Sequence, residues 1–199
     1  MYPFYLGIDL HLKRTYAVLM DSTGTVLDER QVQNVNMKEY LEKVPRQTCA
    51  VLEATRNWPF MYDLLGEHVV QVKLAHPKEL KAIASAAVKT DRIDANVLAH
   101  LARLNFLPTS YAAPKEIRDL RLYMRHREWL VRQRTQAKNR IHAVLAGYNL
   151  ISPMKDLYGV RGREFLEEVL GQVSSAARRV ITDNLRLVDY LTDEIESLE

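Results

Sequence analysis

The sequence predicts an α/β fold, a mixed sheet flanked by helices, followed by an all-α extension. Three observations lead there. Residues 4–32 hold three strand-like runs joined by short connections, residues 49–87 alternate strand and helix signals, and residues 115 to about 146 contain neither glycine nor proline. The expected organisation is one α/β domain over residues 1–108 and a helical, partly basic extension over 109–199 containing a coiled coil.

The first strand is predicted at Phe4 to Leu10 and the second at Thr15 to Met20, rich in Val, Leu and Tyr. Asp21-Ser22-Thr23-Gly24 signals a turn, and a third strand follows from Thr25 to about Val32, making an antiparallel meander. Asn36 is expected to cap a short helix over Met37 to Val44, ended by Pro45. The apolar run Cys49-Ala50-Val51-Leu52-Glu53 reads as a buried strand with Glu53 at its C-terminal end. A helix with Asn57 as cap and Pro59 in its first turn should run to about Leu65, then a strand from Val69 to Leu74, then a helix opened by Pro77 over Lys78 to Ala87.

Of the 199 residues, 47% are hydrophobic and 27% charged, enough apolar material for a core in a soluble protein. No run of about 18 apolar residues occurs, and Met-Tyr-Pro-Phe-Tyr-Leu at the start lacks the charged region and cleavage site of a signal peptide. A cytoplasmic protein is therefore expected, with no membrane contact. The lone cysteine, Cys49, has no partner for an internal disulfide and reads as a buried core thiol.

The stretch Lys89-Thr90-Asp91-Arg92-Ile93-Asp94-Ala95 opens a predicted helix that runs to about Arg103. Thr90 suits the cap, and the two carboxylates, three positions apart, share one face of the first turn, where the helix dipole favours negative charge. Alone, such a pair usually decorates a solvated face. Two distant carboxylates change this, because Asp9 ends the first strand and Glu53 ends the fourth, and in open α/β sheets reactive groups gather beyond the carboxyl ends of parallel strands. If the helix crosses the same sheet edge, four acids converge; their repulsion would be relieved by cations, and all-oxygen ligands select magnesium or manganese over zinc. His11, His76, His126 and His142 show no metal-ligand spacing, and none is assigned as a ligand.

Gly7-Ile8-Asp9-Leu10, Leu52-Glu53-Ala54-Thr55 and the Lys89–Ala95 string together resemble the Asp, Glu, Asp, Asp motifs of the DEDD transposases of the IS-one-ten insertion-sequence family. Pro77 in Ala75-His76-Pro77 also falls where these proteins tend to have Asn-Pro, with His76 in place of the Asn. The resemblance covers about residues 5 to 199. It implies an RNase H-like, RuvC-type domain using divalent metal, Mg2+ or Mn2+, within a recombinase that inserts and excises a mobile element. Asp9, Glu53, Asp91 and Asp94 would then be the catalytic, metal-binding carboxylates. It further implies a structured RNA guide and a C-terminal domain bearing a serine nucleophile. The chain stops at Glu199 within predicted helix, so a truncated form without that domain is expected.

Charge is distributed unevenly along the chain. Residues 115–142 carry 9 basic and 3 acidic side chains, against 13 and 12 in residues 1–114 and 6 and 10 in residues 143–199. A local basic surplus fits contact with a polyanion, either DNA or structured RNA. At 100° per residue, Ile117, Leu120, Met124 and Val131 make one stripe. Arg118, Arg121, Arg125 and Arg132 flank it on one side with Trp129 nearby, and Arg127, Arg134 and Lys138 flank it on the other. These eight residues are the expected nucleic-acid contacts, with arginines gripping phosphates and Trp129 stacking on a base. The bland alternative is a solvated helix whose arginines pair with the acidic tail.

After a break around Gly147 to Gly162, helices are predicted at about Glu164 to Leu170 and Ala176 to Leu198. In the last, Val180, Leu187, Leu191, Ile195 and Leu198 form a stripe that must be covered, by the basic helix or by a second protomer in a homo-oligomer.

Three other functions suit parts of the sequence. A stand-alone junction nuclease would need the same acids. An actin-like ATPase would share Gly7-Ile8-Asp9 but needs later glycine-rich phosphate loops that the sequence lacks. A non-enzymatic nucleic-acid-binding and assembly module would keep the carboxylates only as metal ligands.

Overall fold

The structure, a computed structural model, describes residues 1–83 and 90–198. The chain forms two compact units, Met1–Ala112 and Ala113–Glu199.

The first unit is built on six strands, β1 (Phe4–Leu10), β2 (Arg14–Asp21), β3 (Val26–Gln33), β4 (Thr48–Glu53), β5 (Gln71–Ala75) and β6 (Thr109–Ser110), in the order β3-β2-β1-β4-β5-β6. β1, β2 and β3 form the antiparallel meander, β1, β4 and β5 run parallel, and β6 returns antiparallel to β5. With helices on its faces, this is an RNase H-like α/β sheet. Because β4 is covered on both faces, Thr48 to Leu52 are all buried, the unbroken apolar run expected of a central parallel strand.

Side-chain alternation divides the core into two layers. Leu6, Ile8, Ala50 and Leu52 pack on one face against Met37 and Leu41 of α1 (Met37–Leu41) and Met61 and Leu65 of α2 (Trp58–His68). A further helix, α3 (Pro77–Ile83), follows β5. On the other face, Tyr5, Val18, Cys49 and Val51 meet Ala95, Leu98, Ala99 and Ala102 of α4 (Asp91–Arg103). The alanines bring α4 unusually close. A Cβ on Gly7 would stand 1.9 Å from the Ala95 carbonyl oxygen and 2.9 Å from the Ala99 nitrogen, so only glycine fits under this helix.

Several local expectations give way to tertiary contacts. The first helix is shorter than residues 37–44 and follows a 3-10 turn at Asn34–Asn36, while α2 runs on past Leu65 to His68. Neither Asn36 nor Asn57 caps a helix with its side chain. The strand expected from Val69 begins at Gln71, because Val69 closes α2 with a main-chain bond to Leu65. Residues 84–87 of the helix expected after Pro77, and Lys89 of the motif, lie outside the described residues. At the start of α3, the Glu79 amide donates to His76 Nδ1 at 3.4 Å, so His76 acts as a cap.

The second unit is an antiparallel pair, α5 (Lys115–Gly147) and α7 (Ser175–Glu196), with α6 (Val160–Val169) and a 3-10 turn (Leu170–Gln172) between them in sequence. Tyr123 donates its hydroxyl to the Leu198 carbonyl at one end of the pair, and Tyr148 donates to Ser174 Oγ at the other. Ile141, Leu145, Leu166, Val169 and Ile181 form the main core, and Leu130, Leu191 and Ile195 form a smaller seam.

Two helical stripes differ from expectation. Ile181 and Val188 are buried in α7 where Val180 and Leu187 were expected, and Leu187 is exposed. In α5 the packed stripe is Leu130, Ala137, Ile141 and Leu145, while Ile117, Leu120 and Met124 are exposed. That is roughly a quarter-turn from the expected face, which was set by apolar residues near the helix start, where α7 does not pack. α6 begins at Val160 and not near Glu164. Gly162 lies within it, serving close approach: a Cβ there would meet the Asp156 carbonyl oxygen at 2.4 Å.

Candidate metal centre

Strand alternation and helix capping position the acids. Asp9 follows Tyr5 and Gly7 on the face of β1 that α4 covers, and Glu53 follows Cys49 and Val51 on the same face of β4. Pairing of Ile8 with Leu52 sets Glu53 beside Asp9 on adjacent parallel strands, whose spacing is roughly 4.8 Å. The first turn of α4 brings Asp91 and Asp94 to the same end of the sheet. Thr90 fixes that turn, its hydroxyl accepting from the Ile93 amide at 3.3 Å. Arg92 pairs with Glu29 of β3 at 2.9 Å and ties the helix start to the sheet.

The tightest grouping contains a histidine to which spacing alone assigns no ligand role. His11 Nε2 lies 3.0 Å from Asp9 Oδ2 and 3.2 Å from Asp91 Oδ1, and one ligand-type atom from each of the three residues lies within 4.8 Å of the others. Arg14 stands 3.7 Å from the other Asp91 oxygen. Asp94 is close enough to act on Asp9 electrostatically. Glu53 sits at the adjoining strand end and outside the 4.8 Å grouping among the described residues. The signal for His11 was its place two residues after Asp9, at a strand end, where side chains i and i+2 share a face.

Burial pushes the Asp9 carboxyl above the ordinary aspartate range. His11 pulls it down, while Asp94 and Asp91 push it further up. A half-buried acid crowded by two like charges is the environment that a cation relieves. The donor set fits a divalent ion: carboxylate oxygens from separate elements with one imidazole nitrogen among them.

A transposase family model, that of the IS110 DEDD transposases, matches residues 6–150. The chain belongs to this family. No curated protein matches it. The matched span contains Asp9, Glu53, Asp91 and Asp94, nearly all of the sheet and the whole of α5, so the transposase relationship takes in parts of both units.

On α5 of this transposase the expected nucleic-acid contacts differ in exposure and in partners. Arg121 and Arg125 are exposed, as is Trp129, which stacks on His126 with ring centroids 6.0 Å apart. Arg132 pairs with Glu128 one turn away. Arg118 and Arg127 are half-buried. Arg134 and Lys138 turn inward: Arg134 reaches Thr192 of α7 at 3.4 Å, and Lys138 lies 4.4 Å from the Tyr158 ring centroid. No described helix is long and apolar enough to cross a membrane.

Proposed function

We propose that this chain is the metal-binding part of a cytoplasmic DNA recombinase. It cleaves and exchanges the DNA strands of a mobile element at a centre formed by Asp9, Glu53, Asp91 and Asp94, with a structured RNA as guide. The observation that carries the reading is the meeting of Asp9 and Asp91 around one imidazole, although 82 positions separate them in a chain of the transposase family.

Asp9 and Asp91 would hold a divalent ion, Mg2+ or Mn2+, with Asp94 and Glu53 completing the shell or holding a second. Bound cations neutralise charge on the scissile phosphate and activate the attacking oxygen. The protein's part is positional. β1 and β4 fix two carboxylates at the sheet end, the capped turn of α4 supplies the others, and the crowding that raises Asp9 keeps these oxygens poised for a cation. Arg14, beside Asp91, is placed to meet a phosphate oxygen. On α5, Arg121, Arg125 and Trp129 supply the outward nucleic-acid surface, with Arg118, Arg127, Arg132, Arg134 and Lys138 along the same helix.

The recombinase is further proposed to act as a homo-oligomer. Strict monomer in sedimentation at all concentrations would remove this part of the proposal.

The test is strand cleavage and exchange on DNA carrying the element's ends, with Mg2+ or Mn2+ and with or without element RNA. Asp9→Asn, Glu53→Gln and Asp94→Asn should each abolish product while leaving circular dichroism unchanged. Full activity of Asp9→Asn would overturn the reading. Cleavage of branched DNA without RNA would replace it with a junction nuclease.

A further inference from the structure

We propose that His11 is a nitrogen ligand of this metal centre, sharing one cation with Asp9 and Asp91 and shifting its preference from magnesium toward manganese. The inference rests on the reading of the carboxylates as metal ligands and adds to it a residue outside the four-acid motif.

An octahedral cation with bonds of about 2.0–2.1 Å holds neighbouring ligand atoms about 3 Å apart. His11 Nε2 lies 3.0 Å from the Asp9 oxygen and 3.2 Å from the Asp91 oxygen, the spacing of two such edges. Without metal, Nε2 and the Asp9 carboxylate are hydrogen-bonded across this position. When a cation takes that place, His11 coordinates as neutral imidazole, with its remaining proton on Nδ1. Imidazole nitrogen suits later transition ions better than magnesium, so the donor set Asp, Asp, His favours manganese more than four carboxylates would.

The turn that carries His11 is held from three sides. The His11 amide donates to the Arg14 carbonyl at 3.0 Å. Its carbonyl oxygen accepts from Asn34 Nδ2 at 2.9 Å and from Asn57 Nδ2 at 3.0 Å. Asn34 reaches the Leu12 carbonyl as well, and its own side-chain oxygen accepts from the buried Thr15 hydroxyl at 2.7 Å. The two asparagines come from the end of β3 and the start of α2, so residues distant in sequence fix a donor before metal arrives. A mere counter-ion needs no such anchoring. As a competing positive charge, it would also weaken metal binding, giving the opposite sign in the test.

The experiment loads the full chain with manganese chloride and reads nitrogen hyperfine coupling to the bound ion by pulsed electron paramagnetic resonance. Wild type should show coupling to 14N that converts to the 15N pattern when histidine alone is 15N-labelled. His11→Ala should lose the coupling and His76→Ala keep it. Manganese affinity by calorimetry should fall about tenfold in His11→Ala, with a smaller loss for magnesium. Bound manganese without nitrogen coupling, coupling that survives His11→Ala, or tighter metal binding in that variant overturns the role of His11 and leaves the carboxylate centre standing. Labelled wild type without nitrogen coupling overturns the role of His11 even if His11→Ala folds poorly. Manganese binding unchanged by Asp9→Asn would instead overturn the metal centre, and His11's role with it.

Discussion

Gly7 and Ala95 meet through their main chains: α4 crosses β1 so closely that a Cβ on Gly7 would lie 1.9 Å from the Ala95 carbonyl oxygen. This approach sets the height of the helix whose first turn carries Asp91 and Asp94 above the strand that ends in Asp9. Trimming the Ala95 side chain cannot relieve the clash, because the obstructing atom is backbone. Gly7→Ala is therefore expected to push α4 outward. Overpacking of this kind costs about 1–3 kcal/mol, and the urea midpoint should fall by the corresponding amount. Manganese affinity should fall with it, measured by calorimetry on the fraction still folded. Gly66→Ala, in α2 where an added Cβ meets nothing within 4 Å, should leave metal binding unchanged and stability equal or slightly higher. Equal behaviour of the two variants would dissociate the helix approach from the site.

Asp9 gives a stability effect whose sign depends on pH and metal. Burial and the neighbouring acids raise its pKa in the folded chain, so the native state holds this proton more tightly than the unfolded state. Its contribution is fully present below the ordinary aspartate range and is lost as pH rises through the raised folded value. Above that value the metal-free protein carries a buried charge at a cost. Asp9→Asn should therefore melt higher than wild type at pH 7 in chelator, with the gain vanishing in acid. With saturating manganese the order should reverse, because the ion stabilises only the chain that binds it. A variant less stable than wild type in chelator at pH 7 would contradict this account.

Cys49 lies at the centre of the sheet, fully buried on β4, and burial pushes its thiol pKa up. Both effects suppress the reactive thiolate. Labelling by a disulfide reagent is expected to be slow in native protein and to accelerate in denaturant in parallel with global unfolding. Complete labelling within seconds under native conditions would show that the sheet opens locally around β4.

The parts of this fold that were legible in sequence are those whose signals are local and agree with their surroundings. The run Phe4 to Leu10, the buried strand ending in Glu53 and the Thr90 cap before Asp91 each depend on alternation or on a hydrogen bond within three residues. Asn36 and Asn57 carry the same kind of signal and mislead. Both stand at helix starts, yet Asn57 spends its amide on the His11 carbonyl 46 residues away, where a cap was expected. For His11 only the nearness to Asp9, two residues before it, is local; its second partner, Asp91, is brought to it by the path of α4 across the sheet. In the helical unit, composition indicates the helices, but the packed stripe of α5 depends on where α7 ends beside it, which no periodicity within α5 records.

That rotation of α5 separates its cations into two kinds and makes them distinguishable by salt. Arg121 and Arg125 point to solvent, whereas Arg134 and Lys138 are engaged with Thr192 and Tyr158. Each phosphate that the protein ceases to neutralise lowers the slope of log affinity against log salt by about 0.9 on duplex DNA and about 0.7 on single strands. Reversing Arg121 and Arg125 to glutamate should reduce the slope by up to about 1.8 on duplex DNA, with thermal stability nearly unchanged, since neither side chain is packed. Changing Arg134 and Lys138 to methionine should do the reverse: a lower melting temperature, because neither the bond to α7 nor the cation over the Tyr158 ring survives, and a smaller change in slope. Fluorescence anisotropy from low to moderate salt, with melts of the same preparations, measures both. A slope that stays at the wild-type value in the Arg121/Arg125 reversal would remove this face of α5 from the nucleic-acid surface, and the inward pair would then be the place to look.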